Sequence, residues 1–142
     1  MNLKINMTLN KIFLYVKVLS LLGILLAVYL LVGQIFRPAF TPCNINSSVN
    51  CNAIISGSVS KTLGLPTPLY GLIGYIIILW AGIFQRKKIL LGTTIFGLIF
   101  CLWIAYQELF LLHVVCPVCI GCQLIMVSAF IFALIINKTK SE

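Results

Sequence analysis

Charge is scarce in this chain. Two acids and ten bases are spread over 142 residues, so charged side chains make up 8% of the sequence against 61% hydrophobic. A water-soluble domain of this size needs a largely polar surface, and this composition, with a mean hydropathy of +1.14, excludes one. The surplus apolar surface is predicted to face lipid. The net charge of +8 does not mark a nucleic-acid-binding protein. The bases form no single patch; they punctuate apolar segments, as in membrane proteins. A signal-peptide cleavage pattern is also missing, and the first apolar stretch is too long for a signal sequence, so it reads as a retained first span. No repeat or low-complexity tract divides residues 1–142, which read as a single domain.

Four apolar segments are present, at about residues 12–36, 69–85, 89–112 and 117–136. Each approaches the ~20 residues that cross a hydrocarbon core of ~30 Å. All four are predicted to be helices, because an unpaired strand cannot satisfy its backbone in lipid. The fold expected is an all-α integral membrane protein, a four-transmembrane-helix bundle with a long extracytoplasmic loop between helices 1 and 2. Gly71, Gly74 and Gly82 in the second segment read as sites of close helix contact. Arg86, Lys87 and Lys88 read as a tight turn between the second and third.

The bases orient the bundle. Lys4, Lys11, Lys17, Arg86, Lys87, Lys88, Lys138 and Lys140 fall to one side if Lys17 snorkels, leaving only Arg37 and Lys61 on the other. By the positive-inside rule both termini lie in the cytoplasm, and a multi-pass cytoplasmic (inner) membrane protein results. The polar, turn-rich segment from Arg37 to Pro68 then lies outside, with a short surface helix expected around Ile54, Ile55, Val59, Leu63 and Leu65.

Six cysteines are many for such a chain. Cys116-Pro117-Val118-Cys119 opens the fourth span, with proline where a helix start tolerates it. Its i, i+3 spacing puts both sulfurs on one face, and the unpaired N–H groups of a helix start favour a thiolate. Cys43 and Cys51 form a second pair, in the outer loop, on the same side of the membrane as Cys116. That compartment is oxidising in most cells. The two pairs point to a thiol relay through a mixed disulfide. Two static disulfides or a zinc site are the alternatives, the latter as a membrane metal carrier using the four outer thiols; no metal is expected under the relay reading. Cys101 and Cys122 read as packing residues. Gln123, one turn after Cys119, is placed to bond a neighbouring helix or a quinone carbonyl. Glu108, the one acid within a span, is expected to snorkel to water, and His113 to be solvated.

In this order, the loop cysteines Cys43 and Cys51, the run Leu63-Gly64-Leu65-Pro66, Tyr70-Gly71-Leu72-Ile73-Gly74-Tyr75, and Cys116-Pro117-Val118-Cys119 resemble the vitamin K epoxide reductase family in its bacterial and archaeal quinone-reducing branch. The resemblance implies a membrane thiol–disulfide oxidoreductase whose four helices enclose a quinone of the ubiquinone or menaquinone type. Electrons would pass from a thioredoxin-like partner outside the cytoplasm to Cys43–Cys51, then through Cys51 and Cys116, with Cys119 reacting at the quinone. Ser56 is the nearest match to a hydroxyl residue that follows the second loop cysteine in the family. Thr67, Tyr70, Gln123 and Ser56 are the residues expected around the ring. No fused thioredoxin-like domain is expected, so the partner is expected to be a separate protein.

Overall fold

The computed structural model describes residues 2–36, 46–49, 61–62 and 64–139. Four long helices occupy most of them: α1 (Asn2–Phe36), α2 (Thr67–Ile83), α3 (Lys87–Tyr106) and α4 (Pro117–Thr139). Two two-residue strands, β1 (Lys61–Thr62) and β2 (Leu65–Pro66), pair antiparallel just before α2. Gly64 between them has φ +84°, a conformation that excludes most side chains. Leu65 is therefore in a strand rather than in the expected surface helix. The rest of that expectation, over Ile54, Ile55, Val59 and Leu63, lies outside the described residues.

Lipid dictates the helices, since each satisfies its own backbone without a partner. Asn6–Phe36, Lys87–Leu112 and Pro117–Thr139 are long and apolar enough to cross a bilayer, and Thr67–Ile83 is a shorter apolar helix. This is an all-α membrane protein. Its outward faces carry large apolar side chains such as Leu25, Phe36, Phe96, Leu102 and Leu124, a surface no water-soluble monomer exposes at this density.

Two boundaries differ from the sequence reading. α1 begins at Asn2, ten residues before the apolar run, because nothing from Asn2 to Lys11 breaks a helix. The turn between α2 and α3 falls on Phe84–Arg86 rather than on the three bases. Gln85 takes φ 53°, and the Arg86 N–H donates to the Ala81 carbonyl at 2.9 Å. This is the left-handed cap that commonly ends a helix, so Lys87 already belongs to α3.

The helices form a ring in chain order: α1 packs on α2 and α4, and α3 packs on α2 and α4. Neighbours run antiparallel. Tyr15 of α1 stacks on Phe132 of α4 with ring centroids 6.0 Å apart, while Leu30 of α1 packs on Cys116 and Cys119 at the start of α4. One end of the ring thus carries Lys4, Lys11, Arg86, Lys87, Lys88 and Lys138; the other carries the paired thiols. Lys17 is half-buried, with its chain beside Gly82.

Inner faces follow alternating three- and four-residue steps. On α1 they are Phe13, Val16, Ser20, Gly23, Ala27 and Leu30; on α4, Cys119, Cys122, Met126, Ala129, Ala133 and Ile136. The buried hydroxyls of Ser20 and Thr94 donate to carbonyls one turn earlier on their own helices, Val16 at 2.7 Å and Leu90 at 2.9 Å. The tightest glycine contacts are at Gly23, where a Cβ would meet the Tyr75 ring at 2.5 Å, and at Gly97, where it would meet Met126 Cε at 2.6 Å. Gly71 and Gly74, expected at contacts, have nothing near them. They open space instead.

Candidate redox site

After Tyr106 the third helix widens into a π turn over Gln107–Leu112, a form rare outside functional positions. The turn ends at His113, which is exposed with φ 51°, and the Val114 N–H closes it by donating to the Glu108 carbonyl at 3.2 Å. The chain then runs as Val114–Cys116 into α4. Here it meets the segment between α1 and α2: Val49 and Val115 form an isolated parallel bridge, and the Val115 N–H donates to the Ser48 carbonyl at 2.8 Å. Cys51 follows Val49 by two residues in the sequence, and Cys116 follows Val115 by one.

Cys116 is fully buried and Cys119 nearly so, between Leu30, Leu112, Val114 and Val118. The Cys119 backbone N–H donates to the Cys116 sulfur at 3.4 Å. With Pro117 at the first helical position, this is the geometry of a thiolate held at a helix start. The Cys119 thiol hydrogen bond holds the Cys116 thiol below the ordinary cysteine range, aided by backbone N–H groups of Cys119 and Val118 and opposed by burial and by Glu108.

Glu108 does not reach water. It is 3% exposed, its carboxyl interacts with the Cys119 thiol, and its Oε1 is buried with no protein hydrogen-bond partner. The cause is helical phase: Leu90, Thr94, Gly97, Cys101, Ile104 and Glu108 recur at alternating four- and three-residue steps, so the acid continues the inner stripe of α3.

Below the thiols lies an apolar cavity of about 400 Å³. Cys119 forms part of its wall, together with Cys122, Gln123 and Met126 on α4, and Ala27 and Leu30 on α1. Thr67, Tyr70, Gly71, Gly74 and Tyr75 line it from α2, and Gly92, Phe96, Phe100, Cys101 and Ile104 from α3. Three of the four residues expected around a ring, Thr67, Tyr70 and Gln123, therefore share one cavity with Cys119. Cys43, Cys51 and Ser56 lie outside the described residues. Cys101, packed against the core, and Cys122 both border the cavity. Tyr75, to which the sequence reading gave no role of its own, donates its hydroxyl to the Cys122 carbonyl at 2.6 Å and bridges α2 to α4 across the ring. Its signal was available: it sits on the inner face of α2, where a tyrosine hydroxyl buried in an apolar bundle must find an acceptor.

Fold and site together define an integral membrane protein in which a buried dithiol borders an apolar cavity within a helical ring. The family model of the vitamin K epoxide reductase family matches residues 14–134, and the chain belongs to that family. It is accordingly a membrane redox enzyme, of a family whose members use quinones in general. A comparison with curated proteins returns no match.

A quinone fits the residues present. The cavity has the size and apolar lining of a small-molecule site, and the Gln123 Nε2 is a buried donor without a protein partner, available to a carbonyl.

Proposed function

We propose that this chain is a thiol–disulfide oxidoreductase of the cytoplasmic membrane, which reoxidises a separate thioredoxin-like protein outside the cytoplasm and passes the electrons to a quinone in the bilayer. On this reading α1, α2, α3 and α4 all cross the membrane, the basic end faces the cytoplasm, and residues 1–142 act as one domain. α2 has 17 residues, the lower limit for a crossing.

The chemistry runs in three exchanges. The partner's dithiol reduces the Cys43–Cys51 disulfide. The Cys51 thiolate attacks the Cys116 sulfur, the Cys116–Cys119 bond breaks, and its electron pair leaves on Cys119. Cys43 then attacks Cys51, restoring the loop disulfide and releasing Cys116 as a thiolate. The depressed pKa of Cys116 makes it a good leaving group in that last step. A bound quinone supplies the sink for two electrons and two protons. Thr67, Tyr70 and Gln123 orient it, and the apolar walls exclude water. Ser56 is proposed as a further contact to the quinone.

One observation carries this reading: Cys119 contacts Cys116 on one side and borders the cavity on the other. The loop bridge at Val49 and Val115 supports the approach of the two pairs. The test is turnover by the purified protein with a reduced dithiol protein and a soluble quinone. Wild type should consume quinone, and Cys119→Ser should bring consumption to background. Undiminished turnover in that variant overturns the proposal.

A further inference from the structure

The relay leaves one buried ionisable group unused. We propose that Glu108 is the acid–base partner of Cys119, giving a proton to its sulfur when the Cys116–Cys119 disulfide opens and taking one back when that sulfur is oxidised again. This inference rests on the thiol–disulfide reading above.

Three observations carry it. Glu108 is 3% exposed, at the end of an inner stripe that is otherwise apolar or hydroxylic, where a leucine would pack at far lower cost. Its carboxyl interacts with the Cys119 thiol, while Oε1 is left buried without a protein partner. A carboxyl that served only as packing would have both oxygens satisfied. Finally, the π turn begins beside it and its own carbonyl accepts the closing bond from Val114, so the backbone around Glu108 is fixed by the same turn that delivers the chain to Cys116.

Among the described residues no cation pairs with this carboxyl. Of the described residues, the titratable groups facing it are the thiols of Cys116 just before α4, Cys119 and Cys122 on α4, and Cys101 on α3. Among the described residues α1 and α2 contribute no charged group at this end of the ring. His113, beyond the turn, is exposed.

The step balances. An attacking thiolate bonds to the Cys116 sulfur, and the Cys116–Cys119 bond breaks with its electron pair on Cys119. The Glu108 proton moves to that sulfur and a carboxylate remains. When the dithiol later yields its two electrons to the quinone-class acceptor, which takes its two protons from solvent, the Cys119 proton returns to the carboxylate. Without Glu108 a thiolate must form in an apolar site with no nearby proton source.

The disulfide step can be followed alone. Oxidised protein is mixed with excess dithiothreitol, and the appearance of the Cys119 thiol is read by rapid alkylation and mass shift. Glu108→Gln keeps the shape and should slow opening about 100-fold at neutral pH, the scale of a lost general acid. The wild-type-to-variant ratio should narrow as pH falls and solvent protons substitute. Glu108→Asp should recover much of the rate. A Glu108→Gln rate equal to wild type, or a ratio that does not vary with pH, overturns the proposal. A second measurement needs only folded wild type and the aspartate variant. The redox-difference infrared spectrum should contain a protonated-carboxyl band that shifts or vanishes on reduction and moves in Glu108→Asp; no such band also overturns it. Neither measurement involves quinone, so failure here is separate from failure of quinone turnover.

Discussion

Cys116 receives two hydrogen bonds from one neighbour, from the thiol and the backbone N–H of Cys119. Both favour its charged form, so the sign of the pH effect follows. Its folded pKa lies below the unfolded value of ~8.5, and between the two the unfolded chain binds more protons. Stability of the dithiol form should therefore rise with pH through that window, be fully present above it, and be lost as pH falls through the folded value. Thermal unfolding of reduced protein against pH, compared with Cys116→Ser, measures it. A pH slope that survives unchanged in the serine variant assigns the effect to another group. At the same scale, the sequence identified the CxxC pair because helix-start chemistry is local. Glu108 was legible only through its phase with Ile104 and Cys101, which hydropathy alone conceals.

The helices show why. In lipid both faces of a span are apolar, so a hydrophobic stripe does not distinguish the inner side. Small and hydroxylic residues mark it instead: Ser20, Gly23 and Ala27 on α1, Thr94 and Gly97 on α3, Ala129 and Ala133 on α4. Span positions were readable because the bilayer fixes their length. Helix contacts were not, because glycine serves two ends. Gly23 and Gly97 admit a neighbour, whereas Gly71 and Gly74 leave a wall of the cavity bare. The two contact glycines should also differ from each other. Gly23→Ala drives a methyl into the ring of Tyr75, which its own hydrogen bond to Cys122 holds in place, and should cost about 1–3 kcal/mol. Gly97→Ala meets the flexible end of Met126 and should cost less than about 1.5 kcal/mol, since an unbranched thioether can move aside. Unfolding in detergent ranks them; the reverse order contradicts the packing described.

At the scale of the whole molecule, the ring gathers basic side chains at one end and thiols at the other. With the basic end in the cytoplasm, and with Cys43 and Cys51 replaced by serine, Ser47→Cys should react with a membrane-impermeant maleimide added to intact cells, while Lys87→Cys should react only after lysis. The opposite pattern inverts the proposed orientation and removes the extracytoplasmic partner. The thiol end also holds the short bridge between Val49 and Val115. A tether of this kind replaces a diffusive search with a local swing: two reactive groups borne on segments already joined meet at an effective molarity far above that of any free thiol. It follows that a soluble reductant matches the loop at Cys116 only when its concentration reaches that effective molarity.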